Sequence, residues 1–292
     1  MALVSTSITV TEQIRQRFSC REYAPQPIAI EIQQEFQRRL DQLKRGPFGS
    51  PARFKLVAAS EQDQQALRGL GTYGFIKNPA GYIVGAVEQH SMALEEYGYL
   101  MEQAILEATA LGLGTCWLGG SFTQSNFDRK IELQRNEIMP AVTSIGAYLD
   151  EEQARNAIQR RRLNATSRKA WDELFFSENF GHPLNAEQAG VYATPLEMVR
   201  IGPSASNKQP WRIIKLGNAW HFYLQRTSGY GKGTLLFGIL RLADLQRVDT
   251  GIAMYHFEQT AHEMGLPGRW QIADPGLPLP DEVTQYAVSW VS

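Results

Sequence analysis

Two long helical patterns, one in each half of the 292-residue chain, end in the same way and align with each other. The first is HSMALEEYGYLMEQAILEATALGLG and the second is VDTGIAMYHFEQTAHEMGLPGRW. When Gly112 is aligned with Gly265, four more pairs of identical residues align: Gly98 with Gly251, Met101 with Met254, Ala108 with Ala261, and Trp117 with Trp270. The strand patterns that follow, VTSIGAYL and VTQYAVSWV, also share a form. This self-similarity predicts an internal duplication; the alternative is a chance likeness between two helices that end in Gly-Leu.

Each half mixes helical and strand patterns around its long helix. In the first half, IAIEIQQEFQRRLDQL has apolar residues at helical spacing, and RFKLVAAS, AGYIVGAV and AVTSIGAYL are typical of strands. In the second half, TPLEMVRIG predicts a helix, and WRIIKL, AWHFYLQ and VTQYAVSWV predict strands. We place the boundary in a looser stretch, giving halves 1–176 and 177–292. The sequence therefore predicts an α+β fold of two tandem pseudo-symmetric halves that mimic a homodimer in one chain.

The charge balance and the cysteine content exclude several classes of protein. The chain has 29 Lys and Arg against 30 Asp and Glu, so it lacks the basic surplus of a general nucleic-acid or anionic-membrane binder. Its two cysteines, Cys20 and Cys116, form neither a disulfide framework nor a zinc motif. No apolar run approaches the roughly 20 residues needed to cross a bilayer, and we find no signal peptide. We expect a cytoplasmic protein with no bound metal.

Three polar or glycine-rich clusters are candidates for a binding site. In RQRFSCREY, the side chains of Arg17, Ser19 and Arg21 would point to one side of an extended segment. Two guanidinium groups and a hydroxyl there could bind a phosphate, because the planar guanidinium matches phosphate oxygens. The alternative interpretation is a solvated basic face.

The second and third clusters also have an ordinary interpretation. GPSASNKQPWR is either a surface turn before a strand or a rigid loop that presents hydroxyl, amide and backbone N–H groups to a ligand. We predict that Trp211 lies in the core beneath this loop. LGLGTCWLGGSF is either a helix end followed by a turn or a bare backbone segment that lies against a flat ring.

Together these clusters resemble the motifs of the nitroreductase family of FMN enzymes. RFSCREY resembles its opening Arg-x-Ser-x-Arg/Lys motif, and PSASNKQPWRI resembles its Pro-Ser-x-x-Asn-x-Gln-Pro-Trp motif. GLGTCWLGG resembles its glycine-rich motif, and SRKAWDELFF resembles its closing basic segment, with Ala170 in place of the usual proline. Family members usually carry all these motifs in one shorter unit that works as a homodimer, with FMN at the interface.

In this chain the two halves complement each other. The first half has the opening, glycine-rich and closing motifs, but its counterpart of the Pro-Ser loop is degraded to GPFGSPARF. The second half keeps PSASNKQPW and lacks a basic opening motif. The resemblance therefore implies one composite FMN site per chain and a second, pseudo-symmetric site that no longer binds FMN. It also implies a monomer that contains an internal pseudo-dimer.

The resemblance also implies a role for each site residue. Arg17 and Ser19 would hold the phosphate and ribityl end, and Arg21 would approach the N1/O2 edge of the flavin. The backbones of Gly119 and Gly120 would lie near N5 and O4, and Arg168, with Lys169, would close over the phosphate. The second half would contribute Pro203, Ser204, Ser206 and Asn207 to the ring.

The implied function is an FMN-dependent oxidoreductase that passes hydride from NAD(P)H through flavin N5 to a nitroaromatic, a quinone or a similar acceptor. No side chain of the protein is then needed as a nucleophile, since the cofactor carries the chemistry. One alternative is a non-catalytic flavin-binding or sensor protein. Another treats the basic run 155–169 as a contact for nucleic acid or membrane, although the run has no interleaved aromatic residues.

Overall fold

A computed structural model describes residues 8–59, 67, 70, 76–120, 124–156, 160, 164–228 and 243–292 of the chain. The helices are α1 Val10–Gln16, α2 Ile30–Leu40, α3 Ala93–Ala110, α4 Gln124–Ile131, α5 Glu151–Arg155, α6 Trp171–Leu174, α7 Ala186–Ala189, α8 Ala193–Ile201 and α9 Leu245–Glu263. The strands are β1 Ala52–Ala58, β2 Gly81–Glu88, β3 Gly114–Leu118, β4 Glu137–Ile138, β5 Val142–Gly146, β6 Phe175–Ser177, β7 Trp211–Leu216, β8 Ala219–Gln225, β9 Arg269–Gln271 and β10 Thr284–Val291. Short 3₁₀ turns cover Gly190–Tyr192 and Ala205–Asn207.

The strands form two sheets, one in each half of the chain. The first sheet has the order β1-β2-β5-β3, with β4 paired to β2, and the second has the order β6-β7-β8-β10-β9. When β4 and β6 are set aside, the two orders agree, because each sheet runs first, second, last and third strand of its half. The main pairs are antiparallel in both sheets. The structure confirms the predicted α+β fold with a similar layout in each half.

The long helices α3 and α9 pack directly against each other and join the halves. A Cβ atom added to Gly98 would overlap the backbone carbonyl oxygen of Val248, and one added to Gly251 would overlap that of Glu95. Under the sequence alignment Gly98 corresponds to Gly251 and Glu95 to Val248, so the two close contacts are reciprocal. Reciprocal contacts of this kind are typical of a two-fold interface. The duplication itself stays a prediction, which this packing supports.

The main core lies between the sheets and takes residues from both halves, among them Tyr97 and Met101 of α3 and Met254 and Phe257 of α9. Smaller clusters cover the outer face of each sheet. Trp211 is fully buried at the start of β7, as predicted. Of the helices that the structure describes, none has the length and apolar composition needed to cross a bilayer.

The structure corrects the interpretation of the glycine-rich segment, which contains strand β3 rather than only a loop. Pairing with β5 fixes the segment as a strand, since Gly114 stands opposite Gly146 and Leu118 opposite Val142. The ring of Tyr148 lies against Gly114, where an added Cβ would be 2.5 Å from its Cε1 atom. The glycine that suggested a loop is therefore needed for a close approach inside a sheet.

The predicted boundary between residues 176 and 177 falls inside β6. Residues of this strand pair in parallel with β7, so the last residues of the predicted first half belong to the second sheet. The division into halves 1–176 and 177–292 stays a prediction. Residues 157–159 and 161–163 of the basic run, and 121–122 of the glycine-rich motif, lie outside the described residues.

Candidate functional site

The Arg-Ser-Arg segment is extended and is fixed at both ends. A capping box between Thr9 and Glu12 begins α1, which ends at Gln16 and delivers Arg17 in an extended conformation. Farther along, Ser19 forms a bridge with Thr115 of β3. Because side chains alternate along such a segment, Phe18 and Cys20 are buried in the core cluster on one side. Arg17, Ser19 and Arg21 face a cavity on the other side, as the spacing predicted.

The Pro-Ser loop holds an unusual backbone conformation. Ser206, Asn207 and Gln209 have φ values of 50°, 55° and 49°, in the left-handed region that side chains disfavour. Hydrogen bonds compensate for this strain, since Ser204 Oγ accepts from the Gln209 backbone N–H at 2.8 Å and Asp249 Oδ1 accepts from the Ala205 backbone N–H at 2.9 Å. Strained residues held in this way are common at ligand-binding sites.

Two adjoining cavities, of about 390 and 290 Å³, collect all ten of the predicted site residues. We call them the ring cavity and the basic cavity. The ring cavity is lined by Ser19, Arg21, Gly119, Gly120, Pro203, Ser204 and Ser206, among others. The basic cavity is lined by Arg17, Ser19, Arg21, Arg168, Pro203, Ser204, Ser206 and Asn207, among others. Segments far apart in sequence therefore share one crevice between the two halves.

Among the described residues, four guanidinium groups line the basic cavity: those of Arg17, Arg21, Arg160 and Arg168. Three of their N–H groups are buried and have no hydrogen-bond partner within the described ranges, namely Arg17 Nε, Arg21 Nη1 and Arg168 Nε. Burial, together with the charge of Arg17, lowers the pKa of both Arg160 and Arg168 to about 10. Crowded, unsatisfied cations of this kind indicate a site for an anion.

Arg168 and Asn207 connect the two halves at the edge of the basic cavity. Arg168 Nη2 donates to the Ile201 carbonyl oxygen at 2.9 Å, and Asn207 Nδ2 donates to the Asn164 and Ser167 carbonyl oxygens at 2.7 and 2.9 Å. The prediction placed Asn207 beside a ring, whereas its amide instead holds the segment that carries Arg168. Lys169 lines neither of the two cavities and faces a separate groove.

A buried carboxylate that the sequence motifs did not indicate lies beneath the site. Glu102 of α3 is fully buried, and its Oε2 accepts from Trp117 Nε1 at 2.8 Å. Its Oε1 lies 3.0 Å from His256 Nε2 on α9 and 3.6 Å from Arg17 Nε. Burial would raise the pKa of Glu102, but the His256 hydrogen bond and the Arg17 charge outweigh it and hold the pKa below its ordinary value. His256 is a buried contact between the halves.

Other lining residues also went unrecognised. Trp117 lines both cavities, Arg160 was treated only as part of a basic run, and Asp249 is a carboxyl buried in the wall of the ring cavity. The one available signal was the position of Glu102 and Asp249 within largely apolar helices, where a buried acid needs a partner. Among the described residues, no group of three or more His, Cys, Asp or Glu side chains could hold a metal ion.

Comparisons with known proteins add to the evidence from the site geometry. The chain is similar to a Thermotoga maritima protein described as "a putative nitroreductase", with 21% identity and a TM-score of 0.59, covering 97% of this chain and 94% of that one. Nitroreductases of Exiguobacterium sibiricum and Desulfovibrio desulfuricans, each solved in complex with FMN, have 16% and 20% identity, each with a TM-score of 0.39. Each match covers 50% of this chain, and 91% and 90% of those chains. Curated protein sequences give no match.

A family model described as "Putative TM nitroreductase" matches residues 9–261. That range contains all ten predicted site residues and both cavities. The likeness to the Thermotoga maritima structure extends over nearly the whole chain and supports the same fold. The chain therefore belongs to this nitroreductase family.

Proposed function

We propose that the protein is an FMN-dependent oxidoreductase of nitroreductase type, with one composite flavin site between its halves. The observation that carries this proposal is the cluster of buried guanidinium groups around the basic cavity, where Arg21 Nη1 and Arg168 Nε have neither a hydrogen-bond nor an ion-pair partner in the described chain. A buried polar group without a partner costs about 1–3 kcal/mol. A bound anion with several oxygens would remove that cost at both places at once.

The residues present fit the phosphate end of FMN. Arg17, Arg160 and Arg168 would surround the phosphate, and the Ser19 hydroxyl would donate to it or to the neighbouring ribityl chain. Glu102 offsets part of the positive charge below Arg17, so the guanidinium keeps its place when no anion is bound. Arginine suits this role better than lysine, because its planar N–H groups bind two oxygens together.

The residues of the ring cavity fit a flat ring with polar edges. The backbone of Gly119 and Gly120 and the Pro203–Ser206 loop offer N–H and hydroxyl groups, while Trp117 and Leu245 offer apolar surface. Arg21 lines both cavities, so its charge reaches the ring as well as the phosphate end. A fixed cation beside a ring favours negative charge on that ring and raises its reduction potential.

When bound, FMN would supply the redox chemistry, taking hydride from NAD(P)H and passing it to a nitroaromatic, a quinone or a similar small acceptor. The chain's own part is binding, orientation and exclusion of water. The long helix α9 supplies apolar side chains of Leu245, Val248 and Ile252 to the ring cavity, which keep that face dry. We further propose NAD(P)H and a small acceptor as partners, a cytoplasmic location and a monomeric chain.

The test is anaerobic reduction of the purified, FMN-loaded chain. NADPH or NADH should bleach the yellow flavin absorption within seconds, and a nitroaromatic or quinone should restore it. A yellow protein that neither nicotinamide bleaches would favour the alternative, a non-catalytic flavin-binding protein. A chain that takes up no FMN would refute both functions.

The Arg168→Ala variant tests the phosphate end directly. Removing its charge-assisted bond should weaken FMN binding by about 1.5–3 kcal/mol, or about 10- to 150-fold, measured by quenching of flavin fluorescence. The matched control is Arg38→Ala on the exposed surface of α2, which should bind FMN as the wild type does. Loss of polyanion binding in Arg168→Ala, with FMN binding unchanged, would instead support a nucleic-acid contact by the basic run.

A further inference from the structure

The carboxyl group of Asp249 has one oxygen that the proposed function does not use. Asp249 lies near the start of α9, in the wall of the ring cavity, and is only 3% exposed. Its Oδ1 accepts from the Ala205 backbone N–H at 2.9 Å and so braces the Pro-Ser loop. Its Oδ2 is buried and has no hydrogen-bond partner in the part of the chain that the structure describes.

The corresponding residue of the first half shows that this free oxygen is not a general feature of the fold. The alignment of the long helices places Asp249 on Glu96, which also braces the loop before the first strand of its half. Glu96 uses both oxygens, accepting from the Phe48 backbone N–H at 2.6 Å and from the Ser50 backbone N–H at 3.0 Å. The loop of the first half thus bonds both oxygens of its carboxylate, whereas the loop of the second half bonds one; Oδ2 of Asp249, a residue that lines the ring cavity, keeps no partner among the described residues.

The surroundings of Asp249 are mostly apolar and contain little positive charge. Leu245, Val248 and Ile252 of the same helix line the cavity with it. Among the described residues, the charged groups near Asp249 include Asp244 and Arg247 of the α9 region, Glu95 of α3 and Arg21 of the extended segment. Arg247 is already paired with Glu95 at 2.6 Å, and Arg21 lines the same cavity.

We propose that Asp249 Oδ2 contacts the ligand of the ring cavity, donating a hydrogen bond to a carbonyl or nitro oxygen at the edge of a planar ring. The ring is either the flavin or the electron acceptor bound beside it, so the inference rests on the proposed function and deepens it. Burial raises the pKa of Asp249 well above its ordinary value; the Ala205 bond opposes this rise and the charge of Asp244 adds to it. This direction favours the protonated form of the carboxyl group, which is the form that can donate.

The experiment compares Asp249→Asn, Asp249→Leu and a matched control, Glu96→Gln. Asparagine keeps an oxygen for the Ala205 N–H and places an NH₂ donor where Oδ2 stood, whereas leucine removes both. Calorimetry measures the Kd of FMN for the flavin-free chain and the Kd of acetophenone, a simple aromatic ketone, for the oxidised loaded chain. In the Leu variant the affinity for one of these two probes should fall about tenfold, which is the expected effect of one deleted hydrogen bond. The Asn and Glu96→Gln variants should stay within about twofold of the wild type.

The two possible ligands give different results. If the flavin is the partner, the loss in the Leu variant is in the Kd of FMN; if the acceptor is the partner, FMN binds normally and acetophenone binds more weakly. In the wild type the affected affinity should fall at high pH as the carboxyl group ionises, and in the Asn variant it should not. An Asp249→Leu chain that binds both probes like the wild type, or an Asn variant as weak as the Leu variant, overturns the proposal.

Infrared spectroscopy tests the protonation state without any flavin. At pH 7 the difference spectrum between the wild type and Asp249→Asn should contain the C=O stretch of a protonated carboxyl group, and its absence would overturn the proposal even if the Leu variant does not fold. A wild-type chain that takes up no FMN refutes the proposed function instead. In that case acetophenone titration of the flavin-free chain still compares the Asp249 variants.

Discussion

Replacement of Glu102 by glutamine tests whether the buried carboxylate holds the site and the two halves together. Glu102 lies on α3, and its partners come from three other elements: Arg17 after α1, Trp117 on β3 and His256 on α9. Glutamine has nearly the same shape but carries no charge. Its amide oxygen can accept from Trp117 Nε1, and its NH₂ group then lies against His256 Nε2.

The expected loss of stability follows from the burial of the Glu102 carboxylate. Removing one partner of a buried ion pair costs about 3–5 kcal/mol, because the remaining charge stays buried and unpaired. We expect about 3 kcal/mol for Glu102→Gln, the lower end, since one of the two hydrogen bonds survives. The control is Glu107→Gln on the same helix, where the carboxylate is 33% exposed and lies 2.6 Å from Arg39 Nη1. A surface pair of this kind contributes about 0–1 kcal/mol.

The assay is denaturant unfolding at pH 7 without added flavin, comparing the free energy of unfolding of both variants with that of the wild type. The folded pKa of Glu102 is depressed, so the stability that it contributes is present above its unfolded pKa of about 4.3 and is lost as the pH falls through the folded value. The gap between the wild type and Glu102→Gln should therefore close in acid. Equal free energies for Glu102→Gln and Glu107→Gln at pH 7 would refute the reasoning.

Three further predictions concern the interface, the loop and the assembly. Gly251→Ala places a Cβ against the backbone of Glu95 and should lower the free energy of unfolding by about 1–3 kcal/mol; a variant as stable as the wild type would show that the helices do not touch there. The double variant Ser206→Ala, Asn207→Ala should weaken FMN binding, measured by calorimetry, more than Gly49→Ala in the degraded loop, and the reverse order would contradict the assignment of the surviving loop. Light scattering should give the mass of one chain, because the internal interface replaces that of a homodimer, and a tight dimer would contradict this.

The regular elements could largely be predicted from the sequence, because their patterns are local. The strands WRIIKL and AWHFYLQ match β7 and β8 over their whole lengths; α3 lies within its predicted segment, and α9 begins at Leu245, three residues before its predicted segment. β3 was missed because its glycines indicate a turn, and only the sheet and the ring of Tyr148 show why glycine is needed there. β6 was missed because its register depends on β7, which lies far ahead in the chain.

The residues of the candidate site also differ in whether they could be predicted from the sequence. Motif residues such as Arg17 and Ser206 could be named in advance because they stand in dense polar segments, and the structure brings them to one crevice. Glu102 and Asp249 could not be assigned, since each is a single acid within a helix and its partners belong to other segments. A sequence shows that a buried acid needs a partner, but only the packing shows which partner it has.

The most direct test of the composite site is the number of FMN molecules that one chain binds. Titration of the flavin-free chain, followed by fluorescence quenching and by the flavin absorption of the washed protein, gives this number. One FMN per chain is the predicted result, because in the described part of the chain a single crevice combines the arginine-rich segment with an intact Pro-Ser loop. Two FMN molecules per chain, or none, would contradict the account.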